Sequence, residues 1–213
     1  MHENAAFWDK IADKYAARPI ADMDAYEYTL NRTRSYLGAD DHVLELGAGT
    51  GGTARLLAPG VGQYTATDLS PAMVAIGQRK AAEEGIDNLT SRAGTVEEAL
   101  ADETPLDAVL GFNILHLLPD QAAVARLAHK RLRSGGYYIT KTPSQPDGQA
   151  VAFWLMMNVA VPVMRLLGRA PYVNLPKITE LEAGITAAGF EIIETGNYPA
   201  KAPPARYIVA RKL

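Results

Sequence analysis

The stretch LELGAGTGG, Leu44 to Gly52, places Gly47, Gly49, Gly51 and Gly52 directly behind an apolar run. A strand that runs into such a cluster and then into a helix makes a tight turn whose backbone amides face outward at the helix start. Glycine suits that turn because it accepts positive φ and lets a ligand come close to the backbone. Gly47, Gly49 and Gly52 satisfy G-x-G-x-x-G, the spacing of dinucleotide-binding loops. A P-loop is excluded, since no Lys-Ser/Thr follows to hold phosphate and magnesium. Asp68 stands about 20 residues further on, at the end of the next strand-like run, where a carboxylate accepts hydrogen bonds from a ribose diol. The pattern describes an adenosine half-site and leaves open what hangs from the adenosine.

The rest of the chain supplies the scaffold that such a site needs. HVLEL, QYTATD, NLTSRA, LDAVLGF and YYITKT read as strands, alternating with helical TARLLA, PAMVAIGQRKAAEE, VEEALA and PDQAAVARLAHKRL. This alternation predicts an α/β fold, a doubly wound sheet with helices on both faces. GFEIIETGNYP and ARYIVARKL follow as two strands whose short connection has no room for a crossover helix, so they form an antiparallel hairpin and make the seven-stranded sheet mixed. Ahead of the glycines, Phe7, Trp8, Ile11, Ala12 and Tyr15, then Tyr26, Leu30, Thr33 and Leu37, have helical spacing in two segments parted by Pro19. Ser70 before Pro71 reads as an N-cap, and Thr95 with Glu98 and Thr179 with Glu182 as capping boxes. Gly135-Gly136 and Gly189 read as helix ends. The whole is read as one domain: cap helices in 1–38, a ligand-binding core in 42–142, an insertion in 143–176 covering the substrate, and a last helix with the hairpin in 177–213.

Composition removes several function classes. With 213 residues and a net charge of -3, the chain has no positive field to offer a nucleic-acid backbone. It contains no cysteine, which excludes disulfides, thiolate nucleophiles and thiolate metal sites, and no metal site is expected. The N-terminal stretch lacks the apolar core of a signal peptide, so a cytoplasmic location is expected. VAFWLMMNVAVPVMRLL, Val151 to Leu167, is apolar but is broken by Asn158, Pro162 and Arg165. It falls at the short end of the spanning range and reads as a buried or lid-forming helix rather than a transmembrane span.

Tyr137 and Lys141 form a Tyr-x-x-x-Lys pair, which in short-chain dehydrogenases sits on one face of a helix. Here the pair follows Gly-Gly in a strand-like run, so it gives a nicotinamide oxidoreductase little support. Six motifs in order carry a different resemblance: FWDKIADKYA, VLELGAGTGG, TDLSPAMVAIGQRKA, RAGTVEE, LDAVLGFNILHLLPD and RLRSGGYYIT, with the terminal hairpin behind them. Nearly the whole chain resembles class I S-adenosylmethionine-dependent methyltransferases, the small bacterial ones that act on quinones and other small molecules.

The resemblance implies that Gly47, Gly49 and Gly51 border the methionine and ribose of S-adenosyl-L-methionine, with Asp68 on the ribose hydroxyls and Leu69 and Met73 against the adenine. Gly94, Thr95 and Val96 match the adenine-edge motif, Asn113 the position beside the methionine portion, and Tyr15 a tyrosine that covers the cofactor. The family more often has an acid where Thr95 stands. Glu45 fits a cationic sulfonium better than a polyanion, or alternatively bonds the loop amides and holds the turn. A second reading is a nicotinamide oxidoreductase, and a third is a protein that binds the cofactor without catalysis.

Methyl transfer from a sulfonium asks mainly for alignment of acceptor, methyl and sulfur. A base is needed only for some acceptors, and His116 is the candidate, against a plain role in shaping its loop. The Asn/Asp-Pro-Pro-aromatic turn that grips base amines is replaced by Phe112-Asn113-Ile114-Leu115, so nucleic acid is not the expected acceptor. Trp8, Tyr26, Phe153, Trp154, Met157 and Tyr172 are the expected substrate contacts, forming an adaptable apolar pocket for a small, partly lipophilic molecule. The 151–167 segment is equally compatible with a lid, a face of a homodimer or an interfacial membrane contact.

Overall fold

The computed structural model describes residues 2–145, 156–168, 170–199 and 204–213. Two helices, α1 (His2–Ala16) and α2 (Met23–Arg34), precede the alternating unit. It runs β1 (His42–Leu46), α3 (Gly52–Leu57), β2 (Gln63–Asp68), α4 (Pro71–Glu83), β3 (Leu89–Ala93), α5 (Val96–Ala101), β4 (Leu106–Phe112), α6 (Gln121–Arg131) and β5 (Leu132–Pro143). A π turn (Met156–Ala160), α7 (Val161–Leu166), α8 (Ile178–Ala187), β6 (Phe190–Asn197) and β7 (Ala205–Lys212) complete the described elements. The seven strands form one sheet in the order β3-β2-β1-β4-β5-β7-β6, with β7 antiparallel to both neighbours. The expected doubly wound mixed sheet is therefore present. The crossover direction reverses between β1 and β4, and in open α/β sheets ligands bind outside the strand ends at that point.

Both faces of the sheet are covered, and period-two alternation divides its side chains between two cores. Leu44, Leu46, Val109 and Tyr138 point to one face, where they pack with Val96 and Leu100 of α5, Val124 and Ala128 of α6, and Leu181 and Ile185 of α8. Val43, Tyr64, Ala108, Leu110 and Ile139 point to the other, against Leu30 of α2 and Ala54 and Leu57 of α3. Helix α1 belongs to neither core. Its Ala12 packs with Met73 and Ile76 of α4 beside partly buried Trp8.

Ser70 caps α4, its side chain accepting from the Met73 N–H, and Thr95 with Glu98 forms the expected capping box on α5. Gly189, at φ +99, follows α8 as expected. Two boundary expectations are corrected. The last helix begins at Ile178, so Thr179 lies inside it and Glu182 is held instead by Arg206, at 2.8 and 2.5 Å. Helix α6 ends at Arg131, and Gly135-Gly136 lie within β5. Gly135 takes φ +78 where the β4–β5 register shifts between Leu106 and Ala108, so the glycines serve a bulge and not a helix end.

The insertion after β5 leaves and rejoins the body at one place. Gln145 bridges Lys177 in parallel, the Gln145 N–H donates to the Pro176 carbonyl at 2.8 Å, and the Asn174 N–H donates to the His116 carbonyl at 2.7 Å. No described helix is long and apolar enough to cross a membrane. Helix α7 has no buried residue, and its Leu166 is 88% exposed.

Candidate functional site

A cavity of about 210 Å³ opens at the reversal point, over the C-terminal ends of β1, β2 and β4. Its floor is the glycine loop. The Ala48 N–H donates to the Thr67 carbonyl at 2.9 Å, which ties the loop to the end of β2. Gly47 and Gly49 have φ +64 and +56, and a Cβ on Gly47 would lie 2.6 Å from the Ile114 side chain. Gly51 (φ +70) turns away from the cavity, where a Cβ would lie 3.5 Å from the Gly77 backbone of α4. Gly52 differs: its φ is ordinary and nothing lies within 4 Å of an added Cβ. The third glycine of the dinucleotide pattern thus has no steric task, although in dinucleotide folds it permits close helix packing.

Asp68 stands at the end of β2 and lines the cavity. Its Oδ2 accepts from the Gly49 N–H at 2.8 Å and its Oδ1 from the Ser70 N–H at 2.9 Å. Burial raises its pKa, and the two amides oppose that rise by stabilising the charged form. Each oxygen keeps acceptor capacity for a ligand hydroxyl. The Gly94 N–H donates to the Asp68 carbonyl at 2.9 Å, bringing the β3–α5 turn to the same wall. There Gly94, Thr95 and Val96 line the cavity with Leu69 and Met73.

Helix α1 closes the site from above. Asp9 accepts from the Ser70 hydroxyl at 2.5 Å and from the Ala72 N–H at 3.1 Å, which docks α1 on the start of α4. This docking presents Trp8 and Tyr15, with ring centroids 6.0 Å apart and planes at 86°, to the cavity. Burial, then the Asp68 charge, pushes the Tyr15 pKa up. Asn113 closes the β4 end in a left-handed conformation (φ 58), its N–H donating to the Lys141 carbonyl at 2.7 Å. Asparagine tolerates that region better than most residues.

Of the residues expected to hold a cofactor, Tyr15, Gly47, Gly49, Asp68, Leu69, Met73, Gly94, Thr95, Val96 and Asn113 line this one cavity. Gly51 and Glu45 do not. Glu45 alternates onto the α2–α3 face of the sheet, where it is 2% exposed and accepts from the Tyr64 hydroxyl at 2.7 Å. Burial raises its pKa to about 7. It is not bonded to the loop amides, so the turn-holding alternative does not apply.

Among the expected substrate residues, Trp8 lines the cavity. Tyr26 packs on the α2–α3 side, its hydroxyl 3.4 Å from that of Thr53, and Tyr172 borders a second cavity. Phe153, Trp154 and the side chain of Met157 lie outside the described residues. His116 sits in the turn Leu115–Leu117 and is not part of the wall. Its buried Nδ1 has no hydrogen-bond partner, and burial lowers its pKa to about 4, keeping the ring neutral. Tyr137 and Lys141 both lie in β5, and the Lys141 ammonium donates to Thr29 Oγ1 at 3.2 Å under α2, so the pair lacks the helical geometry of a dehydrogenase.

Sequence reasoning missed Thr67, Glu97, Phe112, Ile114, Leu117, Leu118 and Pro119. Glu97 is the informative omission. Glu98 spends its carboxylate on the Thr95 N–H at 2.7 Å, whereas neighbouring Glu97 lies at the wall. The signal is two consecutive acids, of which the capping box uses only Glu98. The wall therefore carries two carboxylates, Asp68 and Glu97, and no lysine, arginine or histidine among the described residues.

Residues 43–136 match the family model described as a methyltransferase domain. A sarcosine/dimethylglycine N-methyltransferase of Halorhodospira halochloris is 36% identical over 134 residues, covering 61% of this chain and 47% of that relative. A ubiquinone biosynthesis O-methyltransferase of Xylella fastidiosa (strain 9a5c) is 30% identical over 153 residues, covering 70% of this chain and 61% of the relative. The chain thus spans about half to three-fifths of the length of these curated relatives. The crystal structure of the YcgJ protein from Bacillus subtilis superposes with a TM-score of 0.69 at 16% identity, over 87% of this chain and 98% of that one, a likeness of fold.

Proposed function

We propose that the chain is a class I S-adenosylmethionine-dependent methyltransferase that moves a methyl group from S-adenosyl-L-methionine to an N, O or S atom of a small, partly lipophilic molecule. The observation that carries this reading is the charge of the wall. Among the described residues, two carboxylates and no cation face the cavity. That arrangement favours a ligand with positive charge on sulfur and nitrogen over a pyrophosphate.

The residues fit the cofactor group by group. Asp68, preset by two backbone amides, would take the ribose hydroxyls, and Gly47 and Gly49 leave the backbone open to the methionine portion. Leu69, Met73 and Val96 offer the apolar surface a purine needs, with Glu97 at its edge as an acceptor for an exocyclic amine. Bound there, the cofactor supplies an electrophilic methyl on a good leaving group. This chain's share is to fix orientation and exclude water. Trp8 and Tyr15 do so from above, while Asn113 and Ile114 hold the β4 end.

No proton transfer is assigned to His116 in this reading. Its neutral, buried ring outside the wall shapes the turn between Asn113 and Pro119. The core 42–142 serves the cofactor, and the insertion 143–176, anchored at Gln145, Asn174 and Lys177, serves the acceptor. The test is a screen that follows S-adenosylhomocysteine release over amines, phenols, carboxylates and thiols. Release with one partly lipophilic class is expected. Cofactor binding without release for any class would leave a binding protein, not an enzyme.

A further inference from the structure

A second cavity, of about 720 Å³, lies between α1 and the insertion. Its volume is that of a small-molecule site, roughly 300–1,000 Å³. Phe7 and Lys10 of α1 form one side, and Pro162, Arg165, Tyr172 and Val173 the other. The Arg165 guanidinium carbon sits 5.0 Å from the centre of the Tyr172 ring, a cation–π contact that fixes the charge on the cavity wall.

The charge of this wall is the reverse of the first. Lys10 and Arg165 line it, no carboxylate does, and neither cation has an ion-pair partner among the described residues. In a chain of net charge -3, two cations on one apolar wall with no ion-pair partner among the described residues select for an anion. The acid nearest in sequence to Lys10, Asp9, is committed elsewhere, to Ser70 and Ala72.

The two cavities share one turn of α1. Trp8 lines the first and Phe7 the second, and their rings meet edge to face at 5.3 Å. A ligand in the second cavity is therefore one aromatic pair from the first. We propose that the second cavity holds the anionic, apolar end of the methyl acceptor, an amphiphile whose oxygen-borne charge rests against Lys10 and Arg165 and whose apolar part lies on Phe7, Pro162 and Val173, while its reacting atom reaches past the Phe7–Trp8 pair into the first cavity. This specification rests on the methyltransferase reading above.

Calorimetric titration tests it, with protein preloaded with S-adenosylhomocysteine and two probes of equal length, decanoate and decan-1-ol. The expected result is a preference of about tenfold or more for decanoate. In a Lys10→Gln/Arg165→Gln variant the preference collapses to about twofold or less, and in Lys10→Arg/Arg165→Lys it survives, which separates charge from packing. S-adenosylhomocysteine affinity stays the same in all three proteins. Equal binding of the two probes by the unaltered protein, or an undiminished preference in the glutamine variant, overturns the proposal. Failure of the unaltered protein to load S-adenosylhomocysteine is a separate result that removes the methyltransferase reading and the acceptor role with it.

Discussion

The two cavities are built by different rules. The first sits on strand ends, and its polar groups are fixed by the backbone: Asp68 by the Gly49 and Ser70 amides, the glycine loop by the Thr67 carbonyl. The second is assembled from a cap helix and a helix with no buried residue, and of its two charges Arg165 rests on the Tyr172 ring. A site on strand ends is preset by the sheet and can serve one unchanging ligand. A site between surface helices can be rebuilt without disturbing the core. Under the proposed function, the rigid site would take the constant methyl donor and the adaptable one the variable acceptor.

Gly47→Val tests the rigid side most severely. It places a branched side chain at φ +64, against Ile114 at 2.6 Å, and should abolish cofactor binding and lower the thermal midpoint. Gly52→Ala is its control, with an expected change in affinity below about twofold. Asp68→Ala comes next. Losing charge-assisted bonds to the ribose should weaken S-adenosylmethionine and S-adenosylhomocysteine alike by about 100-fold, measured by calorimetry. Asp9→Ala probes the joint between the two regions. Releasing α1 from Ser70 and Ala72 should cost about tenfold in affinity and increase hydrogen exchange in α1 while leaving β1 protected.

The smallest expected effect depends on pH. Glu45 has its pKa raised from 4.5 to about 7, so it is protonated in the folded protein at pH 6 and largely ionised at pH 8. A sulfonium gains from the ionised form and a thioether does not. The ratio of S-adenosylmethionine to S-adenosylhomocysteine affinity should rise by about threefold between pH 6 and 8, and Glu45→Gln should flatten it. The ligand-free fold responds in the opposite sense. A raised carboxyl pKa means that the native state binds the proton more tightly, so stability is lost as pH climbs from about 4.5 through about 7. Glu45→Gln keeps an acceptor for Tyr64 and should make stability less dependent on pH across that window, seen in denaturation midpoints at pH 5 and pH 8.

Much of the first region was legible in the sequence because its residues are constrained one by one. Positive φ demands glycine at 47 and 49, a strand end demands an acid at 68, and capping demands Ser70 and Thr95. Where a side chain points was harder to read. Glu45 lies two residues from the loop, yet alternation within β1 sends it to the far face, onto Tyr64. Glu97 was hidden because its neighbour satisfies the cap. Lys10 lies inside the FWDKIADKYA motif, but nothing in that motif pairs it with a distant cation, and its relation to Arg165 exists only after α1 docks on α4 and the insertion folds back to Lys177. Contacts between segments 150 residues apart leave no local pattern.

On the proposed reading the cavity at the β1–β4 reversal holds S-adenosylmethionine. Calorimetric titration of S-adenosylmethionine, S-adenosylhomocysteine and NAD into the unaltered protein and Asp68→Ala tests it most directly. Saturable binding of the first two, none of NAD, and about 100-fold weaker binding of both by the variant are expected. Binding of NAD in place of S-adenosylmethionine, or undiminished binding of S-adenosylmethionine by Asp68→Ala, would contradict it.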